Sequence, residues 1–443
     1  MKKFFLFIGD IAILYLSLFL TLYIRYGNNF DVQFGFHMFP FTIIFAVWTI
    51  IFYITNLYEI SFTKNNIRFF SDFLYSIAAI SAISIFLFYF IPFFRITPKT
   101  NFFIFITVAT ILQTLWRFYF NRLTAKSGYQ NNTLLIGLSQ QSRELYDFLL
   151  ANPQLGYGAL GIIDVEDRAV YGILENLIKQ KNVKTLVLGP SVYEIPHIID
   201  VLYRLVGFGL NFHNLSDFYE QTTGRVPLGV IDQAWFLENL SEGKKRAYEL
   251  GKRVLDVIGA FIIGAVSLPL YPFIVLAIEL DSKGPVFYRQ ARVGRTGKIL
   301  TLIKFRTMFY DAEKTGPVWA SENDARTTRV GRFIRKTRID ELPQIWNVLR
   351  GEMSFVGPRP ERPEFHGKLQ GEIPFYKERY LVKPGLTGWA QIKHKLDFRG
   401  GMTIADTYEK LQHDLFYIKN RSLLLDLGII LKTINILLKK AIR

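Results

Sequence analysis

The chain is 443 residues long, 50% hydrophobic and 16% aromatic, and carries a formal net charge of +16. High apolar content combined with strong basicity argues against an ordinary soluble domain and for a membrane protein that also meets anions. Cysteine is absent, which excludes a disulfide scaffold and any thiolate metal site and agrees with a working face in the cytosol.

Four apolar segments lie at roughly residues 4–24, 37–57, 69–94 and 102–121, each near the ~20 residues that a spanning helix needs. The first does not read as a cleavable signal peptide: it is long, lacks a small-residue cleavage site and is followed directly by further apolar segments. Lys2 and Lys3 precede it, Lys64 and Arg68 separate the second and third segments, and Arg117, Arg122 and Lys126 close the fourth. The opposite ends hold only Arg25, Arg95 and Lys99, so the positive-inside rule assigns the first set to the cytoplasm. Asp10, inside the first segment, is expected to face another helix.

Beyond these segments the pattern changes. Thr133 to Gly137, Ala159 to Asp164 and Lys184 to Gly189 read as short strands, with a helix-like stretch through Leu150. Strand and helix alternation predicts a small Rossmann-like α/β domain over residues 127–240. The run Gly156-Tyr157-Gly158-Ala159-Leu160-Gly161 matches G-x-G-x-x-G literally. Its glycines precede a strand, whereas a dinucleotide fingerprint follows one and opens a helix. The turn after the first strand offers only Gly137, so the domain is read as structural or regulatory.

Val254 to Leu280 is apolar for longer than one span requires, yet Pro269 and Pro272 interrupt it. Lys244, Lys245, Arg246, Lys252 and Arg253 lie before it, and Lys283, Arg289, Arg292, Arg295 and Lys298 after it. Basic flanks on both sides keep both ends on one membrane face, so a helix that enters, breaks at proline and returns is expected.

Leu300 to Met308 reads as a strand carrying Lys304 and Arg306. The stretch from Arg335 to Pro360 then sets adjacent carboxylates, Asp340 and Glu341, among clustered guanidiniums at the head of an amphipathic helix. Carboxylates this close repel one another unless cations compensate them. Asp340 also fits a helix N-cap, with Pro343 in the first turn, Leu342, Ile345, Val348 and Leu349 as an apolar stripe and Gly351 at the end. Gly357-Pro358-Arg359-Pro360 reads as a rigid turn, and so does Pro384 to Gln391, with Trp389 buried or at the membrane interface. His366, without an evident partner, reads as a surface residue. Leu423 to Leu438, interrupted by Asp426 and Lys432 and followed by Lys439, Lys440 and Arg443, fits a helix lying in the membrane interface.

The Arg335 to Pro360 run resembles the catalytic signature of the bacterial sugar transferases, membrane-bound polyprenyl-phosphate hexose-1-phosphate transferases. Lys304-Phe305-Arg306-Thr307-Met308 upstream and Lys383-Pro384-Gly385-Leu386-Thr387-Gly388-Trp389-Ala390-Gln391 downstream match in the same order, so the resemblance covers about Lys252 to the end. It implies a membrane protein of α + α/β class: four transmembrane helices over 1–126, the Rossmann-like domain, and a catalytic domain over 245–443 with a re-entrant helix at about 252–280. The family places Ser directly before the helix-breaking proline; here Leu268 precedes Pro269 and Ser267 stands one residue earlier.

By resemblance Asp340 is a nucleophile and Glu341 helps hold Mg²⁺. Arg335, Arg338 and Arg359 clamp phosphates, with Lys304 and Arg306 facing phosphate as well. The implied reaction moves a hexose-1-phosphate from a UDP-sugar to undecaprenyl phosphate at the membrane surface, releasing UMP through a covalent aspartyl intermediate, and opens exopolysaccharide, capsule or O-antigen synthesis. The implied setting is the bacterial inner membrane with the catalytic part cytoplasmic. A homodimer is admissible by analogy, although no sequence feature calls for one.

Two other classes compete. A membrane-anchored sugar-nucleotide dehydratase shares a similar N-terminal half, and Tyr248 and Lys252 have its Tyr-x-x-x-Lys spacing, but no dinucleotide fingerprint accompanies them. A non-catalytic scaffold fits poorly with retention of both acids and their arginines. No nucleic-acid module stands out despite the basicity.

Overall fold

The computed structural model describes residues 2–90, 99–125, 131–166, 174–240, 245–312, 324–393 and 403–442. Arg95, Lys126, Lys244 and Arg443 lie outside the described residues, as do the side chains of Lys99, Lys439 and Lys440. The chain forms two compact units, Met1–Leu215 and Ser216–Arg443.

The first unit opens with apolar helices α1 (Lys2–Tyr26), α2 (Phe30–Ile54), α3 (Ile67–Phe90) and α4 (Lys99–Ala125). Residues Lys2–Ile54 form one 53-residue apolar stretch, but a turn at Gly27–Asn29 folds it into two helices, with Gly27 at φ 50°. Tyr15 stands edge-on to Phe45 and pairs with the Thr42 hydroxyl at 2.9 Å, which fixes the hairpin. Leu14, Leu18, Trp48, Phe52 and Phe105 fill the interior, while Phe4, Phe36, Tyr75 and Phe103 point outward. That inversion, apolar outside as well as in, is what a lipid-facing bundle requires. Asp10 faces another helix as expected: it pairs with Arg117 of α4, whose Nη1 also donates to the Leu57 carbonyl at 2.6 Å.

The same unit continues with β1 (Asn131–Ile136), α5 (Gln140–Ala151), β2 (Tyr157–Ile163), α6 (Leu174–Gln180), β3 (Thr185–Leu188), α7 (Pro196–Arg204) and β4 (Asn211–Asn214). The strands are parallel in the order β2-β1-β3-β4, a Rossmann-like arrangement. Gly156 caps a short turn in the left-handed region at φ 93° and leads into β2, so the G-x-G-x-x-G run serves the strand start and the strand itself. The sequence signalled the first three strands; β4 was not signalled, because Asn-Phe-His-Asn carries a single apolar residue.

The second unit takes in residues assigned from sequence to the Rossmann-like domain. Val226 and Leu228, between helices α8 (Leu215–Thr223) and α9 (Gln233–Asn239), and Trp235 of α9 are buried in one core with Val356, Tyr376, Leu411 and Ile418. Next come α10 (Arg246–Ser267), a 3-10 turn at Leu268–Leu270, and α11 (Tyr271–Asp281). Strands β5 (Phe287–Val293) and β6 (Ile299–Phe305) form an antiparallel pair. Helix α12 (Arg329–Lys336), a 3-10 turn at Ile339–Gln344, α13 (Ile345–Arg350), β7 (Ser354–Val356) and α14 (Pro363–Glu372) follow. Strand β8 (Gly385–Thr387), α15 (Trp389–Lys393), α16 (Ile404–Asn420) and α17 (Leu423–Ile442) complete the unit.

Both limbs of the helix broken at proline pack on this unit. Ala260 of α10 joins Ile345, Val348 and Met353, and Ile278 of α11 joins Phe305 and Ile334. Between them Phe261, Val266, Leu268 and Phe273 are exposed. The Ser267 hydroxyl turns back to the Gly264 carbonyl at 3.3 Å. Helix α17 is likewise inverted: Asp426, Lys432 and Asn435 face the protein, and Leu424, Leu427, Ile430 and Ile434 face away. The polar residues that interrupt its sequence pattern are thus its inner face.

Candidate active site

Asp340 and Glu341 sit on the 3-10 turn Ile339–Gln344, not at the cap of a longer helix. Pro343 lies inside this turn and α13 begins only at Ile345, so the N-cap reading of Asp340 is corrected: Arg338 holds the capping position. Arg338 is left-handed at φ 58°, a conformation that costs a non-glycine residue free energy and recurs at functional sites. Behind the turn, the Arg253 guanidinium of α10 forks onto the Val348 and Leu349 carbonyls, both at 2.6 Å, closing the exposed end of α13.

The two carboxylates have opposite surroundings. Glu341 Oε1 accepts from Arg359 Nη2 at 2.7 Å, its other oxygen lies 3.4 Å from Arg338 Nη1, and Lys304 Nζ is 3.9 Å away. Burial opposes ionisation of Glu341, but Arg359, Arg338 and Lys304 outweigh it and hold the carboxyl well below the usual range. Asp340 is buried, and its carboxylate makes no hydrogen bond or ion pair with a described residue. Burial and then the neighbouring Glu341 charge push its carboxyl above the usual range, against Lys304, Arg335 and Arg359. Burial also pulls the Lys304 ammonium down to about 8.

Asp340 opens onto a cavity of about 320 Å³, the lower end of the range for small-molecule sites. Lys304, Arg335 and Arg359 line it with Asp340, as do Arg292, Arg326, Arg362 and Lys410, and Phe287, Tyr288, Phe309, Tyr310 and Phe365 supply apolar wall. Such a chamber suits a ligand with several negative charges and an aromatic or apolar part. The side chain of Arg335, from the last turn of α12, makes no hydrogen bond or ion pair with a described residue.

Arg306 also lines the cavity, but its guanidinium is not among the cations at Glu341. It donates to the Ser282 carbonyl at 2.5 Å and the Lys283 carbonyl at 3.2 Å, just past α11. Ser267 and Pro269 belong to the helix break, away from the carboxylates. Sequence reasoning missed Glu361 and Lys410, paired at 2.6 Å in the cavity wall, and took Arg292 only as a membrane flank. The position of Glu361, directly after Arg359 and Pro360, was the available signal.

Downstream, β7 pairs in parallel with β8. The Gly357 amide donates to the Thr387 carbonyl at 2.9 Å and the Gly385 amide to the Pro358 carbonyl at 3.0 Å. The two turn motifs are therefore one assembly that carries the Arg359 loop. Trp389 stacks on Phe416 and donates to the Gly224 carbonyl at 2.9 Å, a packing role. His366 pairs with the Tyr380 hydroxyl at 3.0 Å and does not line the cavity. Tyr248 and Lys252 both meet Asp426 of α17, at 2.9 and 2.7 Å, which gives the Tyr-x-x-x-Lys pair a structural occupation.

Among the described residues no group of three or more His, Cys, Asp or Glu side chains could enclose a metal. Of the two acids on which the Mg²⁺ expectation draws, Glu341 already meets Arg359 and Arg338, while the Asp340 carboxylate opens onto the cavity, where substrate phosphates and water would complete the shell of an ion.

The sequence model of the bacterial sugar transferases matches residues 247–440. A UDP-glucose:undecaprenyl-phosphate glucose-1-phosphate transferase of Xanthomonas campestris pv. campestris is 33% identical over 72% of this chain and 69% of its own length. The corresponding enzyme of Caulobacter vibrioides is 43% identical over 48% of this chain and 79% of its own. A UDP-N-acetylgalactosamine-undecaprenyl-phosphate N-acetylgalactosaminephosphotransferase of Aeromonas hydrophila is 40% identical over 51% of this chain, and the match spans about half of that relative, 52%. A chain with long apolar helices and a buried Asp340 opening onto a cationic cavity is thus similar to proteins named as transferases. The chain belongs to the bacterial sugar transferase family.

Proposed function

We propose that this enzyme transfers a sugar-1-phosphate from a UDP-sugar to undecaprenyl phosphate through a phosphosugar attached to Asp340. The observation that carries the reading is the difference between the carboxylates: Glu341 is held by cations, while Asp340 faces the cavity and makes no hydrogen bond or ion pair with a described residue. Such a carboxylate is free to attack phosphorus. One Asp340 oxygen bonds to the sugar-bearing phosphorus as its bond to the bridging oxygen breaks, and UMP leaves with that oxygen. An oxygen of undecaprenyl phosphate then attacks the same phosphorus, freeing Asp340 and forming a lipid diphosphate sugar. Arg359 and Arg335 steady phosphate oxygens throughout, Glu341 keeps Arg359 and Arg338 aimed, and Lys304 adds positive charge where negative charge accumulates. Mg²⁺, when bound beside Glu341, supplies further neutralisation of phosphate oxygens.

The exposed apolar surface between α10 and α11 and the apolar outer face of α17 support a re-entrant helix and an interfacial helix, both seating the cavity at the lipid surface. The basic termini favour a cytoplasmic catalytic face in the bacterial inner membrane, and the first membrane step of exopolysaccharide, capsule or O-antigen assembly is the corresponding place in metabolism. The relatives differ in the sugar they carry. Detergent-purified protein with Mg²⁺, undecaprenyl phosphate and a panel of UDP-sugars is expected to release UMP with one donor, dependent on lipid. Asp340→Asn is expected to release none; turnover retained in that variant contradicts the proposal.

A further inference from the structure

Three consecutive carbonyls of the loop that carries Arg359 are gripped from behind. Arg379 Nη2 donates to the Arg359 carbonyl at 3.0 Å, Arg292 Nη1 to the Pro360 carbonyl at 3.1 Å, and the Val293 amide to the Glu361 carbonyl at 2.9 Å. The second and third grips come from β5, whose place is fixed by its pairing with β6. The first comes from a side chain that is itself held on every side. Arg379 is 2% exposed, meets Asp414 at 2.8 Å and the Tyr376 hydroxyl at 2.6 Å, and lies 3.6 Å from Glu361. A planar guanidinium with that many partners has one available orientation. Arg379 does not line the cavity, so it reaches the chemistry through neighbours that do: Glu361 in the wall and, by its backbone, residue 359, whose own guanidinium holds Glu341.

We infer that Arg379 is a positioning residue: by fixing the Arg359 backbone it sets the aim of the Arg359 guanidinium at Glu341 and at substrate phosphate. The inference rests on the phosphotransferase reading above. A buried ion network adds little net stability compared with well-packed apolar side chains, whereas displacement of a catalytic group by ~1 Å can cost about 10²-fold in rate. Geometry at Arg359 is therefore the function this network serves.

The test is a double-mutant cycle on kcat/KM for the donor, with thermal unfolding in detergent measured on each variant. Arg379→Lys keeps the charge and loses the fork; Arg359→Ala removes the group being aimed. Arg379→Lys is expected to lower kcat/KM roughly 10- to 100-fold, and the double variant to be no slower than Arg359→Ala alone. Losses that multiply, or wild-type kcat/KM in Arg379→Lys, overturn the inference, since a residue that only stabilises the fold acts independently of Arg359. If Arg379→Lys does not fold, Tyr376→Phe, which only loosens the guanidinium, takes its place in the cycle under the same criteria. Wild-type protein that turns over no donor contradicts the activity itself, a result distinct from an active wild type with multiplicative losses.

Discussion

Burial and the Glu341 charge both oppose ionisation of the Asp340 carboxyl. Its folded-state pKa lies above the unfolded one, so its ionisation weakens folding at neutral pH and that cost fades as pH falls through the raised value. Asp340→Asn should consequently abolish turnover, by about 10⁴-fold or more, yet melt no lower than wild type in detergent at neutral pH. A clear loss of stability in that variant contradicts the electrostatic account. The same shift sets the acid side of the pH profile. The nucleophile must be ionised, so kcat/KM should decline on acidification at a pH above the usual carboxylate range. On the alkaline side Lys304 loses its proton near 8, and Lys304→Arg should move that limb upward; an unmoved limb assigns it to another group. At this scale the sequence singled out Asp340, Glu341, Lys304, Arg335, Arg338 and Arg359, and the fold brings them together. The sequence did not reveal that Arg306 serves a helix end, because a charged side chain on a strand can reach either cavity or backbone and only packing decides.

The informative element is the helix pair broken at Leu268–Leu270. Its prolines and basic flanks were legible in sequence; how it is anchored was not. Arg253 caps α13, Asp256 accepts from the Ser354 hydroxyl and the Phe355 amide, both at 3.0 Å, and Lys252 pairs with Asp426. These contacts join residues about a hundred or more positions apart, beyond the reach of any local pattern. The absence of native cysteine makes the proposed re-entry straightforward to measure. Arg246→Cys and Lys283→Cys should both react with a membrane-impermeant maleimide applied from the cytoplasmic side, and Leu268→Cys should resist it. Labelling of the two flanks from opposite sides contradicts re-entry and makes the segment a span.

For the whole molecule, apolar run length predicted four N-terminal helices, and strand alternation predicted the parallel sheet. The division of the chain was less legible. Val226, Leu228 and Trp235 look like the end of a Rossmann-like domain until their partners, Leu411 and Ile418, are known. Motif order carried the family because three separated runs, at Lys304, Asp340 and Lys383, converge on one assembly around the Arg359 loop. The most direct test of the central claim is intact-protein mass spectrometry after incubation with the accepted UDP-sugar and Mg²⁺ without acceptor lipid. The account predicts a phosphosugar mass added on the peptide containing Asp340, one UMP released per adduct, and discharge when undecaprenyl phosphate is added. UMP released only when lipid is present, with no adduct at any time, contradicts it.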